Sequence, residues 1–419
     1  MRINRLLIAG IVSVGLLASC SSESTAPESS GPAVIKLTLS TGTTKTRTGG
    51  SGGTAIPTTD GSSTTSSTGE GKLNRVCVVT FDGNTGAGKV VTTQELPSPS
   101  TSGTNTVNTT TAAKYIAVVA NAPTGYFSGL TTLSAFMAKV ADLGYTTSSD
   151  GNTAYAVATG VNSQTITALP MYSAVQQLNG GTTLTANSTT NVSSTLIRMV
   201  SRISLTNITT SFENSGAYAG ATFVPKEVFI YNGNTTYDWD NTMPATASFQ
   251  SGESTDASCV IKATLPSYAY LSSGVAAMTG VALTTAYSST ATELVYLRDG
   301  SNTTGSDNPY YFYVFPNTSS SAGATTNATK IVIKGLWTFN SVTSTMYYPI
   351  LINHAQTGTT ITGTPGTDTQ VAPNTRYAMK AVIRSIGVAS PATNIDPASI
   401  ALTISVSPWA DAGQTTVFN

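Results

Sequence analysis

The chain has 419 residues, of which only 10% are Asp, Glu, Lys or Arg, with Lys+Arg and Asp+Glu both at 20. A neutral chain so poor in charge excludes a nucleic-acid binder working by counterion release, a polybasic membrane-surface protein and a charge-driven disordered tail. Ser and Thr make 124 of the 419 residues beside 37 Gly, which favours strands and turns, and a hydrophobic share of 40% is too high for disorder.

The length suits two or three domains, or two large β-domains. Met1 to Arg5 carries Arg2 and Arg5, and Leu6 to Leu17 is an apolar run shorter than the ~20 residues a membrane span needs. It ends in Leu17-Ala18-Ser19-Cys20, followed by Ser21-Ser22-Glu23-Ser24. That is a signal peptide (residues 1–19) closed by a bacterial lipobox. Cys20 becomes the lipidated first residue, and two or three acyl chains hold it stably at a bilayer.

After a polar tether, Ile35, Leu37 and Leu39 alternate with Lys36, Thr38 and Ser40, the pattern of a half-buried strand. Thr41 to Glu70 is Gly, Ser and Thr with almost nothing to bury, and reads as an exposed loop containing Lys45 and Arg47, where a protease can cut. Val76–Phe81 and Tyr115–Ala120 are apolar strands. Leu130, Leu133, Phe136, Met137 and Val140 recur at helical spacing, predicting an amphipathic helix packed on the core. Leu196–Leu205 reads as one strand carrying Arg198 and Arg202 on a solvated face.

A second domain is expected from residue 212. Its strands are Thr222–Val224, Val228–Tyr231, Tyr310–Phe315, Ile331–Leu336, Tyr347–Ile352 and Tyr377–Ile383, separated by turn signals in the manner of a β-sandwich. Near the C-terminus Ile400, Leu402, Ile404 and Val406 share one face of a strand, ahead of a polar tail with Trp409, Val417 and Phe418.

Catalytic parts are scarce. His354 is the single histidine, and no Gly-x-Ser-x-Gly elbow accompanies it. Cys20, Cys77 and Cys259 are too few and scattered for a zinc or iron–sulfur site. Cys77 and Cys259 read as buried free thiols, with a disulfide as the alternative in an oxidising envelope. Gly83-Asn84-Thr85-Gly86-Ala87-Gly88-Lys89 lacks the Ser or Thr of a phosphate loop, because Val90 follows, and reads as a hairpin turn. Asp238 and Asp240 offer two oxygens toward a cation without the rest of a calcium loop. No catalytic residue, cofactor or metal is assigned.

The two ends belong together. Removing residues up to Arg47 would strip one strand from a sheet and leave a groove of unpaired backbone groups. An extended segment of another subunit can fill such a groove, and head-to-tail addition propagates into a filament.

The residues resemble, in order, the major fimbrial subunits of Bacteroidales, the fimbrillins or type V pilins. Ala33 to Arg47 looks like the family's first strand and trypsin-like processing site. Lys114-Tyr115-Ile116-Ala117-Val118-Val119-Ala120-Asn121 looks like its central strand, and Leu169-Pro170-Met171 like the segment after it. Arg198-Met199-Val200-Ser201-Arg202-Ile203 resembles its paired-arginine strand, with Ser201 where Ala is usual. Phe223-Val224-Pro225-Lys226, Tyr347-Tyr348-Pro349-Ile350, Arg376-Tyr377 and Val406-Ser407-Pro408-Trp409 resemble its later motifs.

The resemblance implies an all-β chain with minor α: two tandem transthyretin-like β-sandwich domains (48–211 and 212–399), a lipidated propeptide (20–47) and a C-terminal donor-strand tail (400–419). It implies an outer-membrane lipoprotein precursor cut by an Arg-specific protease at Arg47, with Lys45 and Arg75 as alternative sites. Polymerisation would use Ile400, Leu402, Ile404 and Val406, with other copies of the chain and accessory fimbrial subunits as partners, in fimbriae serving adhesion and biofilm formation. The alternatives are a monomeric surface lipoprotein binding glycan through exposed aromatics such as Tyr310, Tyr311 and Tyr313, or an accessory tip or anchor subunit.

Overall fold

The computed structural model describes residues 30–41, 71–142, 169–210, 212, 217–244, 247, 249–251, 253, 281–282, 293–296, 310–318, 327–355, 359–363, 369–395 and 400–408. Cys20, Arg47, Lys45 and Cys259 lie outside them. Among the described residues the chain is all-β with one short α-helix, in keeping with the expected all-β class with minor α.

The first half contains β1 (Pro32–Thr41), β2 (Val76–Phe81), β3 (Val90–Leu96), β4 (Thr104–Thr110), β5 (Tyr115–Ala120), α1 (Leu133–Met137), β6 (Val140–Asp142), β7 (Met171–Tyr172), β8 (Gln176–Gln177) and β9 (Thr189–Arg198). The strands are ordered β3-β2-β5-β7-β9-β1-β4, with β8 beside β5. Strand β9 serves both layers: Thr189–Leu196 runs parallel to β1, and Ile197 and Arg198 pair with β7. Gln94 of β3 bridges to β4, donating to the Thr106 carbonyl at 3.0 Å and accepting from the Asn108 N–H at 2.9 Å. The array thus closes around a first core. Every residue of β2 is buried, which explains its uninterrupted apolar run; β4, half-buried, alternates.

The second half contains β10 (Ser201–Thr210), β11 (Thr222–Tyr231), β12 (Gly233–Asn234), β13 (Thr236–Asp238), β14 (Phe249–Gln250), β15 (Val281–Ala282), β16 (Glu293–Tyr296), β17 (Tyr310–Val314), β18 (Lys330–Phe339), β19 (Val342–Leu351), β20 (Thr359–Gly363), β21 (Thr375–Ile383) and β22 (Ile400–Pro408). One sheet runs β16-β10-β21-β22-β20 with β17 also on β10, the other β15-β11-β18-β19. A second core, including Ile203, Phe223, Ile333, Trp337, Tyr348, Met379 and Ile404, lies between them. The expected strands Thr222–Val224 and Val228–Tyr231 are one strand with a bulge between Pro225 and Glu227, where proline cannot donate to the ladder.

The cores change over between Val200 and Ile203. This places β10 with the second core, whereas the division expected at 211/212 gave it to the first. Tyr237, Trp239, Tyr313 and Phe315 of the second half pack into the first core, and β13 pairs with β6.

Two expectations are corrected. The helix predicted over Leu130–Val140 is only Leu133–Met137. Thr132 caps it, its Oγ1 accepting from the Ala135 N–H at 3.1 Å. Leu133 and Phe136 are buried but Met137 is 37% exposed, and Val140 belongs to β6 opposite Asp238, so the helical spacing did not report one continuous face. Arg198 and Arg202 are each 1% exposed rather than solvated. Their strand breaks at Met199–Val200, where the Met199 N–H reaches the Pro170 carbonyl and the Val200 carbonyl accepts from Asn374. The arginines flank that seam between the cores.

Candidate strand-exchange groove

Strand β1 is interior to its sheet. It lies antiparallel to β4, with Pro32 opposite Thr110 and Thr38 opposite Thr104, and parallel to β9, with Val34 beside Thr189 and Thr41 beside Leu196. Ala33, Ile35, Leu37 and Leu39 are all buried in the first core; Lys36, Thr38 and Ser40 face outward. The outer face is tied by Lys36 Nζ donating to Thr106 Oγ1 at 2.7 Å and by a 3.2 Å Ser40–Thr195 hydroxyl pair. Buried Asn105 donates from Nδ2 to the Leu37 carbonyl at 3.3 Å. Burying Ile35, Leu37 and Leu39 is worth about 1.5–3 kcal/mol each. Taking β1 away would also convert β4 and β9 into two open edges facing a vacant apolar trough.

Strand β22 carries the other expected site residues. Ile400, Leu402, Ile404 and Val406 are buried in the second core. The strand lies antiparallel to β21, with Ile383 opposite Ile400 and Thr375 opposite Pro408, and parallel to β20. Leu402-Thr403-Ile404-Ser405-Val406-Ser407 repeats the pattern of Ile35-Lys36-Leu37-Thr38-Leu39-Ser40. The structure therefore keeps the two segments apart, each seated in its own core. At the C-terminal end of β22 the fit to β20 is very close. Gly363 has φ +95°, and a Cβ there would collide with the Val406 carbonyl oxygen.

After β21, residues 384–395 fold back as a strap along the edge of β19. Tyr347 and Val388 exchange both backbone hydrogen bonds, at 2.8 and 2.9 Å, and the Tyr348 hydroxyl donates to the Ser385 carbonyl at 2.9 Å. Buried Lys330 donates from Nζ to the Ala392 carbonyl at 3.0 Å and reaches that of Pro391 at 3.5 Å. Burial pushes the Lys330 ammonium pKa down. Neither strap nor lysine is signalled in the sequence, where Lys330 opens an ordinary amphipathic strand.

The remaining candidates stay apart from these segments. Gly83–Lys89 is a hairpin turn: Asp82 exchanges with Lys89 through a 3.0 Å backbone bond and a 2.6 Å bond from the Lys89 N–H to Asp82 Oδ1. Asp240 Oδ1 accepts from the Thr242 N–H and hydroxyl at 3.0 and 2.6 Å, a local turn. Among the described residues no group of three or more His, Cys, Asp and Glu could hold a metal ion. Cys77 is a buried free thiol, its pKa pushed up to about 12 by burial and then by Glu95, against Arg75. Arg75 is itself buried, 3.7 Å from Glu95. His354 sits half-buried after β19. Tyr313, one of the aromatics considered for a glycan platform, is wholly buried in the first core. No helix among the described residues is long and apolar enough to cross a membrane.

No protein-family model and no curated protein sequence matches the chain. Solved structures do. A candidate cell adhesion protein of Parabacteroides distasonis is 20% identical with a TM-score of 0.58, covering 92% of this chain and 99% of that one. A candidate cell adhesion protein of Bacteroides eggerthii is 19% identical with a TM-score of 0.52, covering 91% and 96%. A fimbrilin (FimA) of Porphyromonas gingivalis is 14% identical with a TM-score of 0.52, covering 91% and 99%. At these identities the likeness is one of fold: the chain shares the β-sandwich fold of these proteins.

Proposed function

We propose that the chain is a structural subunit of surface fimbriae. It is exported as an outer-membrane lipoprotein through Cys20, cut after Arg47 by an Arg-specific protease, and polymerised by strand exchange with other copies and accessory subunits to support adhesion and biofilm formation. The observation that carries this reading is that β1, upstream of Arg47, is an interior strand with four buried apolar side chains. Its removal opens a groove a strand must fill. The C-terminal segment 400–419 supplies the donor, because Leu402, Ile404 and Val406 repeat the alternating apolar spacing of Ile35, Leu37 and Leu39. The folds shared with a fimbrilin and with candidate adhesion proteins support the same reading. No group in the chain is assigned to catalysis.

From Thr48 onward Lys+Arg falls by five (Arg2, Arg5, Lys36, Lys45, Arg47) from 20 to 15, and Asp+Glu by two (Glu23, Glu28) from 20 to 18, a shaft of −3 per subunit. The test is light digestion of a soluble form starting at Ser21 with an Arg-specific protease, followed by intact mass and an unboiled denaturing gel. A cut after Arg47 with a ladder of subunit multiples is expected, since a strand buried along its length leaves slowly. A clean cut with monomer alone would sink the shaft role and favour an accessory subunit or a monomeric glycan-binding protein.

A further inference from the structure

We propose that the end of the second core remote from the first is a contact surface for a second copy of this chain, centred on Phe212, Tyr218, Phe339 and Val342. The proposal rests on the strand-exchange reading and names where the exchanging subunits touch. Trp337 is 3% exposed because Phe212 and Tyr218 stand edge-on against it at 5.0 and 5.4 Å, and Tyr218 meets Phe339 at 5.9 Å. These three outer rings are only partly buried. Beside them Val342 is 65% exposed, the most exposed large hydrophobic among the described residues. The two-residue turn Asn340–Ser341, both at positive φ (49° and 64°), sets Val342 opposite Phe339. The part-buried rings and Val342 thus form one apolar end of the sandwich rather than a lone exposed valine.

The strand registers place it. Thr210, Ile383 and Ile400 are neighbours at one end of their sheet, and Thr222, Thr338 and Thr343 at the matching end of the other. The link to the first core, the bond from the Asn374 N–H to the Val200 carbonyl, is at the opposite end. A released β22 therefore stays rooted, at Ile400, beside the aromatic cluster. In the acceptor, β1 enters its groove at Pro32, beside Thr110 and near Thr189. Since β9 runs from Thr189 toward Val200, that entrance is the far end of the first core. A donor entering in the direction of β1 brings the far end of one subunit's second core against the far end of the next subunit's first core.

Energetics ask for such a contact. Moving β22 fills one groove and vacates another of similar size, so the strand exchange is near neutral by itself. New apolar surface buried between subunits supplies the driving force. A donor formed instead by residues 409–419 would leave from Pro408, at the other end of the sheet, and would not bring a neighbour to this cluster.

The experiment compares wild type, Val342→Asp and the isosteric Val342→Thr, each cut at Arg47. The readouts are the unboiled ladder and capture of a synthetic peptide of residues 400–408 by the cut subunit. Val342→Asp should capture peptide as wild type does while its ladder falls at least tenfold, and Val342→Thr, which keeps the shape and the fold, should lie between. Wild-type laddering by both variants overturns the surface and leaves the exchange reading standing. A wild-type chain that neither captures peptide nor ladders overturns the exchange reading, and the surface with it.

Discussion

Gly363 shows how a single backbone atom can hold a strand in place. Its φ of +95° lies outside the range comfortable for other residues, and a Cβ would collide with the Val406 carbonyl. Gly363→Ala should destabilise the chain by about 1–3 kcal/mol through strain and separation of β20 from β22. Denaturant unfolding, with amide exchange over 400–408, measures it; unchanged protection there would refute the role given to the close approach. Cys77 makes a second statement at this scale. With its pKa raised by burial from 9.0 to about 12, the thiol stays protonated in the fold where the unfolded chain ionises. Its contribution to stability is whole below pH 9 and is lost progressively as pH rises toward 12. At pH 8 the folded chain should resist iodoacetamide at Cys77 while the denatured chain reacts, as peptide mass mapping would report.

At the scale of elements, β1 and β22 are near-equivalent in sequence pattern but differ in how each is joined to the rest. After β22's predecessor ends at Ile383, the strap through Ser385, Val388 and Ala392 fastens the connection to β19 and β18. Lys330 is the ionic member of that fastening. Its ammonium is buried yet oriented on two backbone carbonyls, which a methionine of similar length cannot satisfy. Lys330→Met should raise amide exchange over residues 385–395 at least severalfold while that of β2 and β5 stays as in wild type. Equal protection of the strap in the variant would mean that Tyr348 and the Tyr347–Val388 pair hold it unaided. The short helix teaches a related lesson. A periodic run of apolar residues packs where its neighbours allow, and pairing of Val140 with Asp238 ended the helix early.

For the molecule as a whole, the two cores are linked where the chain passes from β9 into β10 through the break at Met199 and Val200, and by the second half's own Tyr237, Trp239, Tyr313 and Phe315 seated in the first core. Processing would remove a strand from the first core, and exchange would draw on a strand of the second. A chain ending after Pro408 separates the two sources of donor strand. If β22 is the donor, the shortened chain should still ladder after the cut, because residues 409–419 carry no alternating apolar run. Loss of the ladder with folding intact would assign the donor to those residues instead.

The sequence by itself determined the β class, most strand positions and the two segments with matched apolar faces, because alternation along a strand is a local consequence of which face meets a core. The hairpin at Gly83–Lys89 was equally legible, since Val90 already denied it a phosphate loop. What only the tertiary structure decided are properties set by partners distant in sequence. Arg198 and Arg202 look like a solvated pair until two cores close over them. Pro225 joins two strands through a bulge. Lys330 becomes a fastening only when residues 391 and 392 fold back upon it. Whether a strand is interior or at an edge is likewise invisible in its own residues. That distinction, which β4 and β9 impose on β1, is what makes removal of one short segment open a groove.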